Sequence, residues 1–96
     1  MERSVEMKNY RVRWRGTNGR GIPQLPKFYT FLDIQSEDPE TAAEIACVKL
    51  GEIITEQFPR LQCRVLPDTL EPYGLIIEIF DEGKFIGKIY GLEVEE

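Results

Sequence analysis

From Tyr10 to Arg15 apolar and basic residues alternate without exception, with Tyr10, Val12 and Trp14 on one side and Arg11, Arg13 and Arg15 on the other. A period of two is that of a strand with one face packed and one face free. The segment Gly16–Pro26 then holds three glycines and two prolines. Glycine invites positive φ and proline withholds a backbone donor, so the pattern predicts an exposed loop of about a dozen residues. A second strand is expected from about Phe28 to Gln35, where aromatic and branched residues suit a pleated surface.

The strongest local signal follows. Asp38 can accept from the first free amides of a helix, and Pro39 has its φ already set for the first helical position. At 100° per residue Ala43, Ala46, Cys47, Leu50, Ile53 and Ile54 gather on one side, joined by Phe58, before Pro59 ends the helix. Gly51 borders this stripe and is read as a point of close approach to a sheet. Leu61–Leu66 predicts a third strand with Cys63 and Val65 inward, and Leu75–Phe80 a fourth, apolar on both faces and read as central. Asp81-Glu82-Gly83-Lys84 carries tight-hairpin chemistry. Phe85–Val94 returns as a fifth strand, with bulges expected at Gly87 or Gly91.

The order β-β-α-β-β-β predicts an α+β domain, with one long helix on one face of a mainly antiparallel sheet. At 96 residues a single domain is expected, its core in about 8–94 and its first seven residues flexible. No run approaches the length of a membrane span, and no apolar leader opens the chain, so a cytoplasmic location is expected. Cys47 and Cys63 fall at positions expected to be buried and are read as free thiols in a reducing compartment.

Net charge is −5, but the average conceals a polarity. Residues 1–27 hold seven basic side chains against two acidic, and the remainder five against fifteen. Such separation steers partners without deciding a fold.

Catalytic chemistry is poorly supplied. There is no histidine, serine occurs only at Ser4 and Ser36, and both thiols are expected to be buried. Carboxylates abound, but Glu40, Glu44, Glu52 and Glu56 fall on the solvent side of the helix and Glu93, Glu95 and Glu96 form a terminal cluster. Asp81 and Glu82 lack the ligand spacing of a calcium loop. No catalytic residue, metal site or cofactor is expected.

Three surfaces remain for binding. Arg11, Arg13 and Arg15, extended by Arg20 and Lys27, form a basic ladder whose ~7 Å repeat approaches the spacing of phosphates. The competing reading is internal, with the ladder neutralised by cross-strand carboxylates such as Asp33 and Glu78. The sheet face away from the helix should show some of Tyr29, Phe31, Ile76, Phe80, Lys88 and Tyr90. Aromatics beside arginines serve single-stranded RNA readers and protein interfaces alike. Ile45 and Val48, on the charged side of the helix, offer a third contact.

The reading carried forward is a non-enzymatic protein-binding module, a small regulator or inhibitor. Its contact residues are Arg11, Arg13, Arg15, Arg20, Lys27, Tyr29, Phe31 and Tyr90, and its partner is a different protein or a second copy forming a homodimer. The alternative is a nucleic-acid binder acting through the arginine ladder and the glycine-rich loop.

Overall fold

The computed structural model describes residues 6–19 and 31–96. Strand β1 (Lys8–Gly19) and strand β2 (Phe31–Ser36) lead into helix α1 (Pro39–Gln57). Strands β3 (Leu61–Pro67), β4 (Leu75–Asp81) and β5 (Lys84–Glu95) follow. All neighbouring strands are antiparallel, and the sheet runs β2-β1-β5-β4-β3 in space. The α+β class and single domain expected from the sequence are therefore what the chain forms.

Local chemistry explains the elements. Buried Ser36 donates its hydroxyl to the Asp38 carbonyl oxygen at 3.0 Å, closing the turn from β2 into α1. Asp38 Oδ1 then accepts from the Thr41 amide at 2.7 Å, with Pro39 at the start of the first turn. At the other end the Phe58 amide donates to the Ile54 carbonyl, and the Leu61 amide to the Phe58 carbonyl, reversing the chain into β3.

The core lies between α1 and one face of the sheet. Leu50, Ile54, Ala46 and Cys47 of the helix meet Val12, Ile77, Ile79, Ile89 and Leu92 of the strands, all essentially without solvent contact. Ala42 and Ala43 are buried too, while Ile53 and Phe58 are half-buried, so the packed stripe is centred slightly earlier than its periodicity indicates. Small residues permit the close approach expected at Gly51. A Cβ there would lie 3.3 Å from the Cys63 Cβ.

Two expectations need correction. The irregular loop does not begin at Gly16, because β1 continues to Gly19 in register with Tyr90, Ile89, Lys88 and Gly87 of β5. A twelve-residue partner supplies backbone bonds that outweigh weak strand propensity. At Gly19 the two backbones come so close that a Cβ would lie 2.2 Å from the Ile86 carbonyl oxygen. The central strand is β5, not β4: β4 is interior, flanked by β5 and by β3, an edge strand. The described part of the second strand begins at Phe31, and the expected start at Phe28 lies outside the described residues.

Strand β5 slips phase at Gly91. Ile89 and Leu92, three apart, both reach the core, and Gly91 between them has φ +74°. Its amide donates to Glu71 Oε2 at 2.9 Å, so a loop carboxylate serves β5 just past Ile89, its last residue paired with β4 at that end. Glu82 (φ +49°) and Gly83 (φ +84°) form the two-residue hairpin turn between β4 and β5. No described helix is long and apolar enough to cross a membrane.

Candidate functional site

The basic ladder stands on the sheet face opposite α1, because Val12, inward between Arg11 and Arg13, is fully buried. Register decides what each guanidinium meets. Arg11 lies opposite Asp33 on one side and Glu95 on the other, and Arg13 opposite Phe31 and Glu93. Arg11 Nε donates to Asp33 Oδ1 at 3.1 Å, while its guanidinium carbon lies 4.1 Å from the centroid of the Phe31 ring. Arg13 binds Glu95 and lies 3.5 Å from a Glu93 oxygen. Lys8 reaches Glu96 at 3.8 Å.

Three cations of β1 thus pair with four carboxylates: Asp33 of β2, Glu93 and Glu95 of β5, and Glu96 just beyond it. Asp33 is one of the carboxylates anticipated from the sequence. Glu78 instead lies in register with Arg64 and Lys88, away from the ladder. Arg15 differs from its two predecessors. It is exposed, opposite the Gly91 kink, and among the described residues no carboxylate pairs with it. Arg20, Lys27 and Tyr29 lie outside the described residues.

The arrangement brings Arg11, Arg13 and Phe31 into one patch. Tyr90 is elsewhere, half-buried on β5 with its ring toward Gly16, where a Cβ would be 3.5 Å from the tyrosine Oη. A second aromatic patch was not anticipated in full. The bulge between Ile79 and Phe80 sets Phe80 opposite Phe85, and their rings pack edge to face with centroids 5.8 Å apart. Phe85 is 51% exposed and Phe31 37%. The signal for Phe85 was the two-residue turn, from which pairing could be counted back; the bulge hid its face.

Groups suited to nucleophilic chemistry are subdued. Both cysteines are free. Burial pushes the Cys47 thiol up to about 11, the Trp14 indole opposing and Glu44 adding to the shift. Burial also raises the Cys63 thiol, against a contact from Thr55. Among the described residues no three His, Cys, Asp or Glu side chains cluster as metal ligands would.

Comparison with known proteins finds no matching family model, no matching curated protein and no matching solved structure.

Proposed function

We propose that the chain is a non-enzymatic, cytoplasmic protein-binding module, a small regulator or inhibitor, whose partner docks on the helix-free face of the sheet. The observation that carries this reading is the pairing of exposed aromatic and charged groups there. Phe31 sits beneath the Arg11 guanidinium and beside Arg13, while Phe85 projects from its contact with Phe80. Aromatic and arginine side chains are the residues that anchor protein interfaces. Carboxylates already bound to Arg11 and Arg13 would repel phosphate, which sets this reading ahead of nucleic-acid binding. Arg15, with the glycine-rich segment beyond it, supplies the basic margin that steers an acidic or mixed partner.

Affinity capture from the native host with the intact chain and with a Phe31→Ser, Phe85→Ser double variant tests the proposal. A partner protein held by the first and lost by the second supports it. The same proteins held by both would overturn it. So would retention of nucleic acid that collapses between about 50 and 200 mM salt. Light scattering then tells a second copy from a heterologous partner.

A further inference from the structure

Residues 68–74 join β3 to β4 in a loop held by its own backbone. The Asp68 amide donates to the Gly74 carbonyl, the Glu71 amide to the Asp68 carbonyl and the Gly74 amide to the Glu71 carbonyl. Both carboxylates of the loop are engaged as well. Asp68 Oδ1 accepts from the Leu70 amide at 2.9 Å, and Glu71 Oε2 accepts from the Gly91 amide of β5 at the same distance. The exposed residues of the loop are then Thr69, Leu70 and Pro72, none of them charged. Leu70 is 90% exposed, whereas no other exposed large apolar side chain among the described residues exceeds 53%. A surface leucine needs no explanation by itself. One held out by a loop already ordered is an anchor that binds with little further loss of chain entropy.

A recess for such a side chain lies on the same molecule. Strand β3 is an edge of the sheet, and between it and α1 runs a trough of about 570 Å³ lined by Val48, Gly51, Thr55, Cys63 and Val65. Gly51 adds no side chain to it, Val48 is 49% exposed, and the Thr55 hydroxyl is committed to the Gly51 carbonyl at 2.9 Å, so the surface offered is largely apolar. Glu52 and Glu56 border the trough, and among the described residues no cation pairs with either. The opposite charge is found next to the strand that the loop grips. Arg15 is exposed and likewise unpaired, and it packs against Gly91, where a Cβ would lie 2.3 Å from its own. An apolar projection with a cation on one surface thus matches an apolar recess with two anions on another.

We infer that the chain associates with a second copy of itself, Leu70 of one copy entering the trough between β3 and α1 of the other. Arg15 of the first copy then faces Glu52 and Glu56 of the second. The two surfaces differ, so the contact is head to tail, each copy offering one projection and one recess. A single leucine in an open trough makes a weak contact, with a dissociation constant on the order of 0.1–1 mM. Neither Phe31 nor Phe85 takes part, and the inference does not rest on the aromatic face proposed above.

Sedimentation velocity and nitrogen-15 spectra of the full chain, from about 10 μM to about 2 mM, test this. Mass is expected to rise with concentration, and the amide signals of Val48, Cys63, Val65 and Leu70 to shift along one common curve. Leu70→Ser and Val48→Asp, both at exposed positions, should each weaken the association at least about tenfold. Their mixture separates this contact from others, since each variant keeps the half that the other lacks. Labelled Leu70→Ser should show shifts at Val48, Cys63 and Val65 when unlabelled Val48→Asp is added, and none when unlabelled Leu70→Ser is added. Arg15→Glu should weaken association by about threefold or more, and Glu52→Arg in the same chain should reverse that loss. The Phe31→Ser, Phe85→Ser double variant should associate as the native chain does. A constant mass to about 2 mM, indifference to Leu70→Ser or to Arg15→Glu, or silence of the mixed pair would overturn the inference. Loss of association in the double aromatic variant would also overturn it, by moving the contact between copies to the helix-free face.

Discussion

Replacing Arg13 with alanine separates a structural cation from an available one. Arg13 stands between Glu93 and Glu95, all three side chains near half exposure. An exposed pair contributes about 0.2–1 kcal/mol, so losing two costs roughly 0.5–2 kcal/mol. The substitution also leaves Glu93 and Glu95 with no cation between them, about 7 Å apart, where repulsion in water is about 0.6 kcal/mol before screening. The combined loss is about 1–2 kcal/mol at low salt, a fall of roughly 5–15 °C in Tm for a domain of this size. Arg15→Ala is the control. It shares the loss of β propensity and of a long side chain but breaks no ion pair among the described residues, so its effect stays within about 0.5 kcal/mol. Urea unfolding followed by the fluorescence of Trp14, the sole tryptophan, measures both variants. At 1 M sodium chloride the Debye length is about 3 Å, and the gap between them should shrink by about half or more. Equal losses at the two positions, or a gap indifferent to salt, would refute the assignment of Arg13 to the fold.

Three further outcomes are expected. Glu82→Asn should raise stability by about 0.5 kcal/mol, because asparagine tolerates the left-handed conformation better than glutamate and the exposed Arg60 contact it gives up is weak; a lower midpoint in urea would contradict this. The Thr41 backbone amide, and then its side chain, hold the Asp38 carboxyl below its usual range. A depressed carboxyl stabilises the fold above its unfolded pKa and ceases to as pH falls through the folded value, so the stability lead of the native chain over Asp38→Ala should narrow between pH 7 and pH 3, and a constant lead would argue against the cap. The Cys47 thiol, raised by burial from 9.0 to about 11, stays protonated in the folded chain after the unfolded chain has ionised. Its contribution is therefore complete below pH 9 and is lost as pH rises toward 11; alkylation at pH 8 should spare Cys47 until the chain unfolds, and rapid native labelling would show the thiol to be open.

Periodicity and punctuation made much of this molecule legible. Asp38-Pro39 announced the helix start because capping is local chemistry, and Glu82-Gly83 announced the hairpin because a two-residue turn needs positive φ. Strict alternation at Tyr10–Arg15 told which side of β1 is packed, and Asp33 was foreseen as a partner of the ladder. What the chain did not disclose is non-local. That Glu93 and Glu95 flank Arg13 depends on β5 lying beside β1, and nothing near either strand encodes that adjacency. The continuation of β1 through Gly16–Gly19 has the same origin, since those residues are strand only because a long partner runs alongside. Phe85 was missed because one bulge changed the face it occupies, and the β3 edge because strand order decides which strands are outermost.

The earliest and latest strands in the order of the chain pair with each other in the middle of the sheet, Trp14 across from Leu92, about eighty positions along. A ribosome building this protein must therefore hold β1 without its inner neighbour until β5 has emerged. The β3–β4 hairpin can form meanwhile, but the barrier to folding waits on closure of the longest loop. Slow, late, all-at-once assembly is the kinetic signature this topology imposes.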